Sequence, residues 1–199
     1  MYQKLLILSL VTLLGARSTA ATLPSGVGLG GDTISPFDNS PETKAVVLFF
    51  TATDCPISNR YAPTMTRLAE EFSSQGIKFW LIYSDELADP ITIKSHQNEY
   101  KLRLPTLLDQ AFDLANFAQA DVTPEAAVFA LSGQDTPPTL VYLGRIDDQY
   151  QGFGKYRPVA TQHELHDLLT RVVNGETPAF TKTKAIGCYI PRALRGGNR

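Results

Sequence analysis

Cys55, in the stretch Thr51-Ala52-Thr53-Asp54-Cys55-Pro56-Ile57-Ser58, stands where an apolar run ends and a helical pattern begins. The chemistry open to a thiol there is nucleophilic, because unpaired N–H groups and the positive end of a helix dipole favour its thiolate. Asp54 opposes this by placing a negative neighbour beside it. The chain holds two cysteines, and the second, Cys188, lies far along the sequence near the C-terminus. Two cysteines allow one intramolecular bridge, and closing a loop of this length removes denatured-state entropy worth about 4–5 kcal/mol. Cys188 is therefore a candidate to resolve a mixed disulfide or a sulfenic acid on Cys55, to act as a permanent staple, or to bond another chain.

The elements that must position Cys55 are readable on either side of it. Ala45 to Phe50 read as a fully buried strand, and Tyr61, Met65, Leu68, Ala69 and Phe72 recur at helical spacing after it. Ile77 to Tyr83 is a second buried strand, followed by an acidic loop (Asp85, Glu86, Asp89) and a helix from Pro90 to about Tyr100. This order of strands and helices implies parallel pairing through crossovers. Leu102 to Asp109 and then Phe112, Leu114, Ala115, Phe117 and Ala118 read as a further strand and helix before Pro124. Ala126 to Leu131 and Leu140 to Arg145, separated by Gly133, Pro137 and Pro138, read as an antiparallel hairpin. In the last helix Thr161 and Glu164 suggest a capping box, Leu165, Leu168, Leu169, Val172 and Val173 the apolar face, and Asn174-Gly175 the stop.

At 199 residues the chain suits one domain with tails. Residues 1–21 have the anatomy of a secretory signal: Lys4, the apolar run Leu5 to Leu14, and the small residues Ser18, Ala20 and Ala21. The run is too short to span a bilayer and ends in small residues, so the expectation is cleavage and export to a periplasmic or extracellular compartment where disulfides persist, with no membrane insertion afterwards; an uncleaved membrane anchor is the alternative. Cleavage takes away Lys4 and Arg17 and no acid, moving the formal charge from −2 to −4. Without a basic stripe or an interleaved stacking platform, nucleic acid is not an expected partner. Residues 22–34 read as an irregular lead-in segment, 35–175 as the domain, and 176–199 as a basic tail carrying Cys188. No haem-attachment motif, phosphate loop or dinucleotide fingerprint occurs, so no cofactor is expected. His163 and His166 share a helical face and His96 is in another element, so no metal site is expected either.

Two further features accompany Cys55: Pro63, eight residues on and inside the helical pattern, and Thr123-Pro124 just before an apolar stretch. With them, the region from about Ser35 to Gly175 resembles the thioredoxin superfamily, in which a C-x-x-C motif opens a proline-kinked helix and a cis-proline faces the first cysteine. Here Ser58 takes the second cysteine's place, giving C-x-x-S. Within the superfamily the chain is most similar to exported peroxiredoxin-like redoxins, of the alkyl hydroperoxide reductase and thiol-specific antioxidant type, on Asp54-Cys55-Pro56-Ile57-Ser58, Gly144-Arg145-Ile146-Asp147-Asp148 and Gly187-Cys188. The resemblance implies an α/β, thioredoxin-like fold: a central mixed sheet flanked by helices, with a strand-helix insertion before a cis Thr123-Pro124 bond. A peroxiredoxin proper carries P-x-x-x-[TS]-x-x-C, whereas Leu48 and Ala52 stand at those Pro and Thr positions, and Cys55 occupies the first cysteine position.

Each candidate residue has a second reading. Ser58 either donates to the thiolate or caps the helix start. Thr123 and Pro124 offer, by the resemblance, a backbone edge on which an extended substrate pairs, or simply a rigid bend. Arg145 either stabilises a thiolate or peroxide oxygen or, with Asp147 and Asp148, forms a solvated hairpin end with local ion pairs. Three functions follow as expectations: a thiol-disulfide oxidoreductase acting through Cys55, with Cys188 or an external thiol as resolver; a hydroperoxide reductase in which Cys188 resolves a Cys55 sulfenic acid; and a non-catalytic binding module locked by a Cys55–Cys188 bridge. The partners are then protein or small-molecule thiols and disulfides, or hydroperoxides, together with an external thiol reductant.

Overall fold

Ala45–Thr51 are all buried, and this strand lies in the middle of an eight-stranded sheet. The computed structural model describes residues 22–38, 40–133 and 136–191; residues 1–21, on which the signal-peptide expectation falls, lie outside the described residues. In chain order the elements are β1 (Gly26–Gly28), β2 (Thr33–Ile34), β3 (Ala45–Thr51), α1 (Pro56–Phe72), β4 (Ile77–Tyr83), α2 (Pro90–Tyr100), β5 (Thr106–Leu108) and α3 (Asp113–Ala118). There follow β6 (Val122–Thr123), β7 (Glu125–Ala130), β8 (Thr139–Gly144), β9 (Tyr150–Gly152), β10 (Lys155–Tyr156), α4 (Glu164–Val173), β11 (Thr181–Lys182) and β12 (Cys188–Tyr189).

The sheet order is β11-β8-β7-β3-β4-β5-β1-β2. β3 runs parallel to β4 in register from Ala45 opposite Ile77 to Thr51 opposite Tyr83, and antiparallel to β7. Because successive side chains of a strand point to opposite faces, β3 builds two cores. Val47 and Phe49 pack on the face covered by Tyr61, Met65 and Leu68 of α1, Ile93 of α2 and Leu165 and Leu169 of α4. Val46, Leu48 and Phe50 pack on the other face with Leu114, Ala115 and Ala118 of α3. This is the mixed, helix-flanked sheet that the sequence predicts. Among the described residues no helix is long and apolar enough to cross a membrane.

Three local expectations need correction. Residues 22–34 are not irregular: β1 and β2 form a hairpin that extends the sheet beyond β5. No capping box opens α4, whose N-cap is His163 with no side-chain cap. Thr161 instead gives its N–H and hydroxyl to Asp148 at 2.6 and 2.7 Å, and Glu164 is paired with Arg145. Finally, the segment around Asp147 and Asp148 is not a solvated hairpin end, since these carboxylates are only 5% and 2% exposed. Asp147 accepts from Tyr61 at 2.6 Å and from the Gln149 N–H at 2.9 Å. Asp148 gathers Arg157, Thr161 and the Gln162 N–H. A buried carboxylate is tolerated when donors surround it in this way.

The tail after α4 is built into the domain. β11 pairs in parallel with β8, and Thr183 continues that contact, its N–H donating to Leu143 O at 3.0 Å. β12 then pairs antiparallel with β6, Cys188 opposite Thr123 and Tyr189 opposite Val122, and Ile190 N–H reaches Asp121 O at 3.0 Å. Ile186 packs on one core and the buried Ile190 in the other.

Asp148→Ala would leave the N–H groups of Thr161 and Gln162 without their acceptor and strand Arg157. The expected loss is about 3 kcal/mol of stability, measured as a lower urea midpoint with an unchanged slope.

Candidate functional site

The ends of β3 and β4, the start of α1 and the β6–β12 ladder meet at Cys55. Cys55 is the N-cap of α1, with φ −87° and ψ 107°, and Pro56 follows at the first helical position. A proline suits that position because its missing N–H would have had no helical partner. Pro63 lies inside the helix, as predicted. Thr123-Pro124 is cis, and the Thr123 carbonyl accepts a hydrogen bond from the Cys55 thiol at 3.1 Å. Cys55 itself is fully buried.

What covers Cys55 is Cys188, which is half-buried; the two cysteines are unbridged, and Cys188 is close enough to act on the Cys55 thiolate. Thr123 also gives its hydroxyl to the Cys188 carbonyl at 3.5 Å. The approach depends on Gly187, where a Cβ would overlap the Thr123 carbonyl.

The two thiols have opposite electrostatics. Burial pushes the Cys55 thiol up, but hydrogen bonds from the Cys188 side chain, the Ser58 N–H and hydroxyl, and the Cys188 N–H together outweigh it and hold it below the ordinary thiol value. Cys188 is pushed up to about 12, by burial first, then by its hydrogen bond to Cys55 and the negative charges of Cys55 and Asp54. The Asp54 carboxylate thus acts on Cys188, whereas the sequence placed its effect on Cys55.

Ser58 is 1% exposed and does not cap the helix. Its hydroxyl has no partner among the described residues while Cys55 is a neutral thiol, and it becomes a donor when Cys55 ionises. Arg145 is the predicted site residue that the fold takes elsewhere. Its guanidinium is engaged by Glu164 and by Gln162 at 2.8 Å, so it ties the end of β8 to α4. His96, His163 and His166 do not converge, and no metal-holding cluster of His, Cys, Asp and Glu occurs among the described residues.

Several supporting residues went unread in the sequence. Asn59 Nδ2 donates to the Thr53 carbonyl at 3.3 Å and Asn59 Oδ1 accepts from His96 Nε2 at 2.8 Å, while His96 Nδ1 meets the Tyr83 hydroxyl at 2.8 Å. This chain ties the loop before Cys55 to α2 and β4. Asn59 sits four residues after Cys55, on the helix predicted to follow it, which was the one hint. Glu125, next to the cis-proline and 4% exposed, accepts from the Asp121 N–H at 2.9 Å and so anchors the start of β6.

Beside the thiols lies a cavity of about 420 Å³, lined by Cys188, Asp54, Ser84, Asp85, Asp89 and Tyr189 among others, and not by Cys55. Leu87 and Tyr189 on its wall are 87% and 82% exposed. The arrangement therefore offers one buried thiol inclined to ionise and one neutral thiol facing a solvent-open cavity.

The AhpC/TSA family model matches residues 15–141, a span that holds Cys55, Ser58, Thr123 and Pro124 and ends before Arg145 and Cys188. Among solved structures, a hypothetical protein from Sinorhizobium meliloti 1021 has a TM-score of 0.70 at 22% identity, over 87% of this chain and 93% of that one. An uncharacterized conserved protein from Geobacillus kaustophilus gives 0.70 and 22%, over 88% and 96%. The thioredoxin domain of a thiol-disulfide oxidoreductase from Bacteroides vulgatus gives 0.54 and 16%, over 83% and 100%. At these identities the likeness is one of fold. No curated protein matches the chain.

Gly187→Ala should prise β12 from β6 and uncover Cys55. Its labelling by N-ethylmaleimide in the reduced protein should accelerate about tenfold or more, equivalent to ~1.4 kcal/mol easier local opening, with the far-ultraviolet circular dichroism unchanged.

Proposed function

The chain belongs to the AhpC/TSA family, and within it we propose a thiol-disulfide oxidoreductase in which the Cys55 thiolate attacks and Cys188 resolves. The observation that carries this reading is the pairing of β12 with β6, which sets Cys188 opposite Thr123, whose carbonyl holds the buried Cys55 thiol; in that setting Cys55 is held below and Cys188 above the ordinary thiol value. The thioredoxin-like frame shared with a thiol-disulfide oxidoreductase domain supports the same class of chemistry.

For a substrate to reach Cys55, the two-residue β12–β6 ladder opens. The Cys55 thiolate then attacks one sulfur of a disulfide R–S–S–R′, forming Cys55–S–S–R and releasing R′–S⁻, which takes a proton from water. The backbone edge of Val122 and Thr123, vacated by β12, is where an extended substrate would pair. The mixed disulfide removes the negative charge of Cys55 and its hydrogen bond to Cys188, two of the causes that hold Cys188 neutral. Cys188 then loses its proton, attacks the Cys55 sulfur and expels R–S⁻, leaving a Cys55–Cys188 disulfide. The substrate gains two electrons and the protein loses two. An external thiol must return them.

Arg145 has no part in this scheme because Glu164 and Gln162 occupy it. We place the reaction in a periplasmic or extracellular compartment on the sequence pattern of residues 1–21, which suits a protein that cycles through a disulfide.

The close approach of the two thiols also favours a second reading, a binding module locked by the same bridge. The reduction potential separates them. A value in the range of known oxidoreductases, from about −120 to −270 mV, supports turnover, and one below about −300 mV marks a structural bridge.

Cys55→Ser should abolish disulfide exchange with a model protein disulfide, and Cys188→Ser should stop at a trapped mixed disulfide on Cys55. In the wild type the exchange rate should rise with pH to a plateau, with a midpoint below the ordinary thiol value of about 8.5. Turnover by Cys55→Ser at the wild-type rate would sink the proposal.

A further inference from the structure

Taking the proposed exchange reaction as given, we propose that the external thiol that re-reduces the protein attacks Cys188 and not Cys55. The inference rests on which sulfur the folded chain leaves reachable. Cys55 has no exposed surface: Thr123 O, the first turn of α1 and Cys188 enclose it. Cys188 is half-buried and lines the cavity of about 420 Å³, which opens past the exposed Leu87 and Tyr189.

Cys188 sits opposite Thr123, whose carbonyl holds the Cys55 thiol, so once the substrate has left, the bridge between the two sulfurs is compatible with β12 back on β6. The oxidised protein therefore keeps Cys55 covered, now by a covalent bond as well as by the strand ladder. A nucleophile arriving from water meets Cys188 first, in a cavity large enough for a small thiol.

The leaving side fits this direction. A disulfide cleaves fastest when the departing sulfur is the more acidic one. The N–H and hydroxyl of Ser58 stand ready to receive the Cys55 thiolate as it forms. Attack at Cys55 would instead expel the Cys188 sulfur as a thiolate close to the Asp54 carboxylate.

The steps balance. A thiolate R–S⁻ attacks the Cys188 sulfur, the S–S bond breaks, and Cys188–S–S–R and the Cys55 thiolate result. A second R–S⁻ attacks the R sulfur of that mixed disulfide and forms R–S–S–R. The Cys188 thiolate so released takes a proton. Two electrons pass from two thiols to the protein disulfide, and Cys55 is returned in its nucleophilic form.

The test uses the full-length protein oxidised to the Cys55–Cys188 bridge and mixed with 2-mercaptoethanol in a rapid-quench apparatus. Samples are stopped with acid before one turnover, the free thiol is alkylated, and the peptides are mapped by mass spectrometry. At the earliest times the mercaptoethanol adduct should sit on the Cys188 peptide, and the alkyl label on Cys55, in about tenfold excess over the reverse, as expected when one sulfur is both exposed and opposite the better leaving group. Equal adducts, or an adduct first on Cys55, would overturn attack at Cys188 while leaving the exchange reaction standing. A bridge that never opens would overturn both.

Discussion

The pairing of β12 with β6 is the interaction on which the site depends. It is a ladder of only two residues, yet it sets Cys188 opposite Thr123, whose carbonyl already holds the Cys55 thiol. Without it Cys55 would lie at an open helix start; with it, Cys55 is buried and hydrogen-bonded. A glycine at 187 lets two backbones come closer than any side chain would permit. The apolar residues Ile186 and Ile190 on either side of the ladder supply the burial that holds so short a pairing in place.

The asymmetry of the two thiols follows from this geometry. Burial alone would raise both, since removing a thiolate from water is unfavourable. Donors decide the outcome. Cys55 has several aimed at it from Ser58 and Cys188, and these outweigh its burial. Cys188 has a nearby thiolate and the Asp54 carboxylate, and both add to its burial. The result is a pair in which the buried sulfur is held below the ordinary thiol value and the sulfur lining the cavity above it. The supporting shell is largely rigid: the Tyr83–His96–Asn59 chain fixes the loop before Cys55, and Glu125 fixes the loop before β6.

The residues that shape the site and those that stabilise the frame are thus separable. Arg145, Asp147 and Asp148 are all ionised-type side chains near the end of β8, and each is drawn into a structural contact, with Glu164, Tyr61 and Arg157 respectively. Their clustering in sequence comes from tying β8 to α4 and to the β9–β10 hairpin. The cysteines, 133 positions apart, form the only pair of thiols in the chain, and the fold brings that pair together.

Much of the frame was legible in the sequence because its signals are local. The apolar run Ala45 to Phe50, the apolar spacing of α1, Pro63, and the Thr-Pro pair before an apolar strand each act through their immediate neighbours, and together they identified the fold and marked Cys55. The sequence by itself determined that one thiol stands at a strand-to-helix junction and which second thiol exists. Only the tertiary structure decided that they touch, because strand pairing between residues 122–123 and 188–189 is a non-local contact that two-residue segments cannot announce. The same reason explains the misplaced readings. Thr161 turned to the buried Asp148 and Arg145 to the half-buried Glu164 because a carboxylate leaving water recruits whatever donors the fold brings near it, and proximity in space is not written in proximity along the chain.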